Sequence, residues 1–387
     1  MIHMSLMEFR YDHLATTLQA LRETGVSLLE KRGDLYGVAG AGDDPGIYYF
    51  VPHLALWTGW DLQTAVNVFL LGLLGGGLAL ALAAFIKRRV HPLALLAAAL
   101  TLGYVTRLAY LFSDVYLAQV TAVFAVVPFL LLRRDTDKPS RALIGGALLA
   151  GVLWGTLNGV RSQAGVGSLL FLLLWTFNRP RWSLAWRTAL VAVALGGMLM
   201  PTLYYRHLET QRNDWLANRQ PGQFTQLDPG HSFWHSVYIG FGYLPNPYGL
   251  EYRDKVAYDL VAQADPAVVP FTPRYHAILR EAVFDFAGNH PWFVLRTFAA
   301  KALVLLGWVL PLALPGLFFL WAGAPPGRPW LPLLGSAAFY ALPGILVYPS
   351  KNYVFGLLAL GAVLGACGVA WGLKEGGLRG WADRARH

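Results

Sequence analysis

The sequence predicts an all-α polytopic integral membrane protein, and three observations carry that prediction. Of 387 residues, 56% are hydrophobic and only 14% charged, with a mean hydropathy of +0.44. Apolar runs recur over 62–86, 92–112, 114–132, 142–160, 163–177, 188–204, 303–322, 330–348 and 353–373, about nine in all. Each is near or somewhat below the ~20 residues a helix needs to cross a bilayer. Basic residues then cluster in alternate connections, which is the pattern of cytoplasmic loops.

Residues 1–61 contain no apolar core long enough for a cleavable signal peptide. Over 11–30, Leu14, Leu18 and Leu21 recur at helical spacing. That pattern suits a helix lying on the membrane surface or one packed on an outer domain. Residues 62–204 carry transmembrane helices 1–6, and 205–291 form a large outer segment rich in Pro, Gly, Tyr and Trp. Within it, PRYHAILREAVFDFAGN reads as a helix ended by Gly288 and Asn289. Residues 292–373 hold an interfacial element and helices 7–9, with Trp292 and Phe293 facing lipid and Arg296 and Lys301 snorkelling. Residues 374–387 are a cytoplasmic tail.

The charge follows this layout. Lys87, Arg88, Arg89, Arg133, Arg134, Lys138, Arg141, Arg179, Arg181, Arg187, Arg328 and the basic residues of the tail give 15 Lys/Arg against 4 acids on one side. The rest of the chain has 16 basic and 18 acidic residues, so the net +9 is topology and not a nucleic-acid footprint. The expected location is a bacterial plasma (inner) membrane, with the large loops on the periplasmic or extracellular side. An outer segment of this length with no hydrophobic helix before it is awkward to translocate, so a transmembrane helix upstream of Met1 is expected. The single cysteine, Cys367, sits in an apolar run and allows no intramolecular disulfide.

Several polar groups return to the outer face. GAGDDPGIYYF, Gly40 to Phe50, places Asp43 and Asp44 in a turn stiffened by Pro45. A buried carboxylate there could accept the proton of an attacking hydroxyl, and a solvated turn is the simpler alternative. Asp114 follows Ser113 at the next outer turn, where a helix cap is the simpler role. Between Arg141 and Arg179 lie about 37 residues, slightly short for two full crossings, so two shortened helices should meet at NGVRSQAG. That junction, within the membrane or at its outer edge, holds Asn158, Arg161, Ser162 and Gln163. An ionisable group at membrane depth is a functional candidate, and Arg161 could bind a lipid phosphate or pair with an acid or a helix-end carbonyl. Arg206 and Lys351 are outer helix-end cations suited to a phosphate or to interfacial anchoring. His231 and His235 have i, i+4 spacing but lack the Glu of a zinc-protease motif. No Walker loop or dinucleotide fingerprint is present, so an activated substrate must arrive by the membrane or from outside. No cofactor is fixed by these motifs, and a divalent metal stays open.

With these residues in view, the layout resembles the GT-C superfamily of polytopic glycosyltransferases, in its protein mannosyltransferase and aminoarabinose transferase branch. The family's first outer loop carries an acidic pair, commonly Asp-Glu, with a Tyr a few residues on; here Asp43, Asp44 and Tyr48 stand in those places. GALLAGVLWGTLNGVRSQAG is similar to its Gly/Leu-rich helix ending in Arg, GNHPWFVLRTFAAKAL to its amphipathic entry helix, and VYPSKNYVFGLLAL to the segment before a late crossing. The resemblance implies a GT-C-like helical bundle with outer-face loops and interfacial helices. It implies transfer of a sugar from a polyprenyl-phosphate-linked donor to a hydroxyl on a glycan, lipid or protein acceptor. Asp43 would be general base beside Asp44, with Tyr48, Asp114, Arg161, Gln163, Arg206, His231, His235 and Lys351 contacting substrates. Asp44 departs from the usual Glu. An O-antigen ligase or polymerase would instead depend on His231, His235 and Arg206, and a lipid or glycan transporter would need a central polar pathway.

Overall fold

The computed structural model describes residues 4–41, 43–132, 140–179, 182–221, 233–323, 330–350 and 352–374. The chain is an all-α, multi-pass membrane protein whose only strands among the described residues form one small hairpin. Helix α1 (Met4–Thr24) leads into β1 (Leu29–Arg32) and β2 (Leu35–Val38), paired antiparallel with Leu29 opposite Val38 and Arg32 opposite Leu35. The loop between them is Gly33-Asp34, and Gly33 takes the positive φ of 63° that a tight two-residue turn requires. The sequence reading had no strand here, because four residues per strand are too few to display an alternation.

Next come α2 (Pro45–Thr58), α3 (Leu62–Lys87) and α4 (Pro92–Phe112). A single 3-10 turn over Val115–Leu117 opens α5 (Ala118–Phe124) and α6 (Val127–Leu130), a broken and almost wholly buried passage. Then follow α7 (Arg141–Val160), α8 (Val166–Phe177) and α9 (Leu184–Arg219). The segment after α9 supplies α10 (Phe233–Gly240), α11 (Asp254–Ala264) and α12 (Pro273–Asn289), and the chain continues through α13 (Pro291–Gly323), α14 (Trp330–Leu346) and α15 (Phe355–Lys374). Among the described residues six helices are long and apolar enough to cross a bilayer: α3, α4, α7, α9, α13 and α15. The three shorter apolar passages are Val115–Leu130, Val166–Phe177 and Leu331–Leu346.

Most spans leave much of their surface outward, with Leu100, Leu149, Leu203 and Leu303 each more than half exposed, as lipid-facing positions should be. The span ending in α15 is the exception, with 83% of its apolar window buried against at most 44% in any other. It sits among α4, α5, α13 and α14. Small residues allow the closest crossings: Gly151 and Gly155 of α7 lie against the α9 backbone at Ala194 and Met198, and Gly316 of α13 meets Gly365 and Gly368 of α15.

Three expectations are corrected. Helix α9 does not stop at 204 but runs on to Arg219. Its C-terminal half grips the hairpin, with Leu216 buried beside Ala20 and Leu29 and with Trp215 edge-on to Tyr36 at 5.1 Å. The interfacial element before the later crossings is no separate helix but the first turns of α13, in which Trp292 is 80% exposed. Lys301 does not snorkel. It is fully buried and donates to the carbonyls of Gly240 (2.8 Å), Val347 (2.9 Å) and Leu346 (3.4 Å), clamping the outer segment to the end of α14. Of the two readings of α1, packing prevails: Leu14, Leu18 and Leu21 are all buried.

Candidate functional site

The acidic pair sits where the hairpin hands the chain to α2. Gly40 turns the loop at φ 57°, and a Cβ there would run into the Tyr48 ring. Glu30 of β1, 1% exposed, accepts from the Gly40 N–H at 3.4 Å and from His13 at 2.6 Å, tying the loop to α1. Asp44 occupies the N-cap position of α2 with Pro45 behind it, yet its side chain makes no cap bond. The carboxylate turns away to the α7–α8 junction, accepting from the Ser162 N–H at 2.9 Å, from the Ser162 hydroxyl and from Arg161 at 3.3 Å. An N-cap Asp ordinarily satisfies its own helix, so this diversion costs α2 a local bond and supplies a long-range one.

Arg161 ends α7 and is 5% exposed. Its Nη1 donates to Asp43 and Asp44, both at 3.3 Å, and its Nη2 donates to the Tyr116 hydroxyl at 2.5 Å. The guanidinium lies 4.0 Å from the centre of the Tyr116 ring. Asn158 accepts the Gly165 N–H at 2.6 Å and closes the junction, while Gln163 is held at φ 72°. That left-handed conformation costs a non-glycine residue about 1 kcal/mol. Of the two shortened helices expected from the spacing only α8, with 12 residues, is short; α7 keeps 20 and is long enough to cross, and the two meet with polar groups at their seam.

Asp114 arrives at the same place, as topology suggested. It caps the 3-10 turn through the Tyr116 N–H at 3.4 Å, and its other oxygen accepts from Arg10. Arg10 Nε also donates to Asp43 at 2.5 Å, and the Tyr48 hydroxyl reaches the same Asp43 oxygen at 3.3 Å. Three carboxylates and two guanidiniums thus share one nearly dry cluster, in which the side chains of Asp43, Asp44 and Asp114 are 12%, 5% and 9% exposed. Burial pushes the Asp43 carboxyl upward, but Arg10 and then Arg161 outweigh it and hold the group below the ordinary value. Asp44 goes the other way: burial dominates over Arg161 and Ser162, and the carboxyl is raised. The phenol of Tyr48, buried beside Asp43, is raised well above its usual range.

A cavity of about 250 Å³ adjoins the cluster. Its polar end is Arg161, Ser162, Gln163, Tyr116 and Gln119; its apolar wall is α14, from Phe339 to Val347. Leu342 of that wall and Phe233 at the rim are each more than 40% exposed, so the space opens on the helix's outward face.

Arg206 is exposed in mid-helix on α9 and is not among the residues around this cavity. His235 is buried with both ring nitrogens engaged, Nδ1 with the Tyr275 hydroxyl at 2.5 Å and Nε2 with Asp254 at 3.0 Å. It fastens α10 to α11 and α12. His231 and Lys351 lie outside the described residues. Among the described residues no group of three or more His, Cys, Asp or Glu is arranged to hold a metal ion. Sequence reading missed Arg10, which stands 33 residues from Asp43 and 104 from Asp114. Its helix, marked by Leu spacing, carries both Arg10 and Arg22, and nothing local sets Arg10 apart. No family model, curated protein or solved structure matches the chain.

Proposed function

We propose that the chain is a membrane glycosyltransferase that moves a sugar from a polyprenyl-phosphate-linked donor to a hydroxyl acceptor on a glycan, lipid or protein. The reaction takes place at the outer face of a bacterial plasma membrane, with the large hydrophilic segments on the periplasmic side. The observation that carries this reading is the seat of Arg161, which touches both acids and also lines the polar end of an otherwise apolar cavity. Such a space suits a molecule with a greasy chain and an anionic head. Among the described residues, three of the five guanidinium N–H groups are engaged, which leaves two for a phosphate oxygen.

The acceptor hydroxyl oxygen attacks the anomeric carbon while the bond from that carbon to the lipid phosphate oxygen breaks. Asp43 takes the hydroxyl proton as general base, and the departing electron pair stays on the phosphate, where Arg161 stabilises it. A single displacement inverts the anomeric centre. The experiment is transfer of labelled sugar from polyprenyl-phosphate donors in membranes by the wild type, Asp43→Asn and His235→Ala. Loss with Asp43→Asn at normal expression supports the reading. Full transfer by the Asn variant, with loss in the His235 variant beyond its loss of stability, would turn the assignment towards a ligase or polymerase.

A further inference from the structure

Arg10 is the one member of the acid cluster that comes from α1, and it has no role in the transfer step above. Its guanidinium is shared between Asp43 and Asp114, side chains that would repel each other without it. Its own side chain is 16% exposed. Burial lowers the tendency of such a group to stay charged, and the two aspartates more than restore it.

We propose that Arg10 is the positioning residue of the acid site: its guanidinium, carried in on the first helix, fixes how Asp43 is presented and how readily Asp43 takes up a proton. This rests on the transferase reading for its catalytic consequence but not for its effect on Asp43. The charged and titratable groups that face Asp43 are Arg10 from α1, Arg161 and Asp44 from the α7–α8 seam and the α2 cap, Tyr48 from α2, and Asp114 before the 3-10 turn. Arg10 and Asp114 act in opposite senses. Removing the cation exposes Asp43 to burial and to two like charges, so it should bind a proton at higher pH. Removing Asp114 leaves the whole of Arg10 to Asp43 and takes away a like charge, so it should bind a proton at lower pH. Packing alone would not produce opposite signs at two sites that touch the same guanidinium. The arrangement also makes α1 part of the working site, although it belongs to no membrane span. Glu30 and His13 anchor the same helix one turn beyond Arg10.

The test needs no substrate in its first arm. Infrared titration of the protonated-carboxyl band is recorded for the full-length protein, Arg10→Gln, Arg10→Lys and Asp114→Asn, with Asp43→Asn in each background to assign the Asp43 contribution. The expected result is an upward move of about one pH unit or more for Arg10→Gln. Arg10→Lys should move less, and Asp114→Asn should move down. In the second arm, the acid limb of transfer shifts in the same order. Arg10→Gln loses about 100-fold in kcat with little change in donor KM, and guanidinium ion added in solution restores part of it. An Asp43 titration that stays put in Arg10→Gln overturns the proposal, as does a shift of the same sign in Asp114→Asn. If Arg10→Gln does not fold, the Lys and Asp114 variants decide by the direction of their shifts. Shifts of the expected sign in a protein that transfers no sugar uphold the role of Arg10 and count against the transferase reading.

Discussion

Replacing Gly46 with Ala is a severe and specific perturbation of the acid site. A Cβ built at Gly46 lies 2.6 Å from the carbonyl carbon and oxygen of Gly159 and 2.7 Å from the nitrogen of Val160. All three are backbone atoms of α7, so no flexible side chain can yield. Ordinary carbon contacts need about 3.5 Å, and α2 must therefore retreat from α7 by about 1 Å. Asp44 stands two residues away and holds Arg161 at 3.3 Å, so the same retreat carries that bond beyond useful range. Overpacking costs about 1–3 kcal/mol, and the weakened charge-assisted bond adds about 1.5–3 kcal/mol. A displacement of this size at a reacting group lowers turnover about 100-fold. Thermal unfolding in detergent and the labelled-sugar transfer assay measure the two effects, with Gly72→Ala in α3 as the control because a Cβ there meets nothing within 4 Å. A Gly46→Ala protein with unchanged melting and turnover would refute the claim that this helix contact sets the position of the acids.

Two further outcomes are expected. Lys301→Met leaves three buried carbonyls without their shared donor and should cost about 2–5 kcal/mol, read as a lower melting temperature and faster proteolysis near Gly240. The pH dependence of Asp43 has a definite sign: its native carboxyl is held below the ordinary 3.8, so it contributes stability that is complete above that value and is lost as pH falls through the native one. The melting-temperature gap between the wild type and Asp43→Asn should therefore be widest near neutrality and narrow in acid below about pH 4.

Six of the nine expected apolar runs match helices long enough to cross, and they were legible because hydropathy is a local property that needs no knowledge of neighbours. The α7–α8 seam was legible because the stretch is short for two full crossings at about 1.5 Å per residue, although the shortening falls on α8 alone. Asp43, Asp44, Asp114 and Arg161 could be grouped because alternation of crossings assigns each turn to one face. Arg10 could not, since no period or spacing ties it to acids far along the chain. The same limit hid the C-terminal half of α9: its polar residues signalled departure from the membrane, and its buried face of Tyr205, Leu208, Arg212 and Leu216 includes a charged residue that masks the apolar period. Lys301 was misread because a cation on an apolar helix usually reaches for water, and only the assembled fold supplies the three carbonyls that receive it.

The enclosed position of α15 bears on how the molecule is made. Helix α15 leaves the ribosome after α4, α5, α13 and α14, the helices it packs among. Until that helix enters the bilayer, the small-residue face of α13 at Gly316 has no partner, and α4 and α5 border an unfilled space. A nascent chain interrupted after α14 would hold every member of the acid cluster and still lack the helix that packs among α4, α5, α13 and α14. Packing of α4, α5, α13 and α14 about a shared centre therefore waits on the arrival of α15.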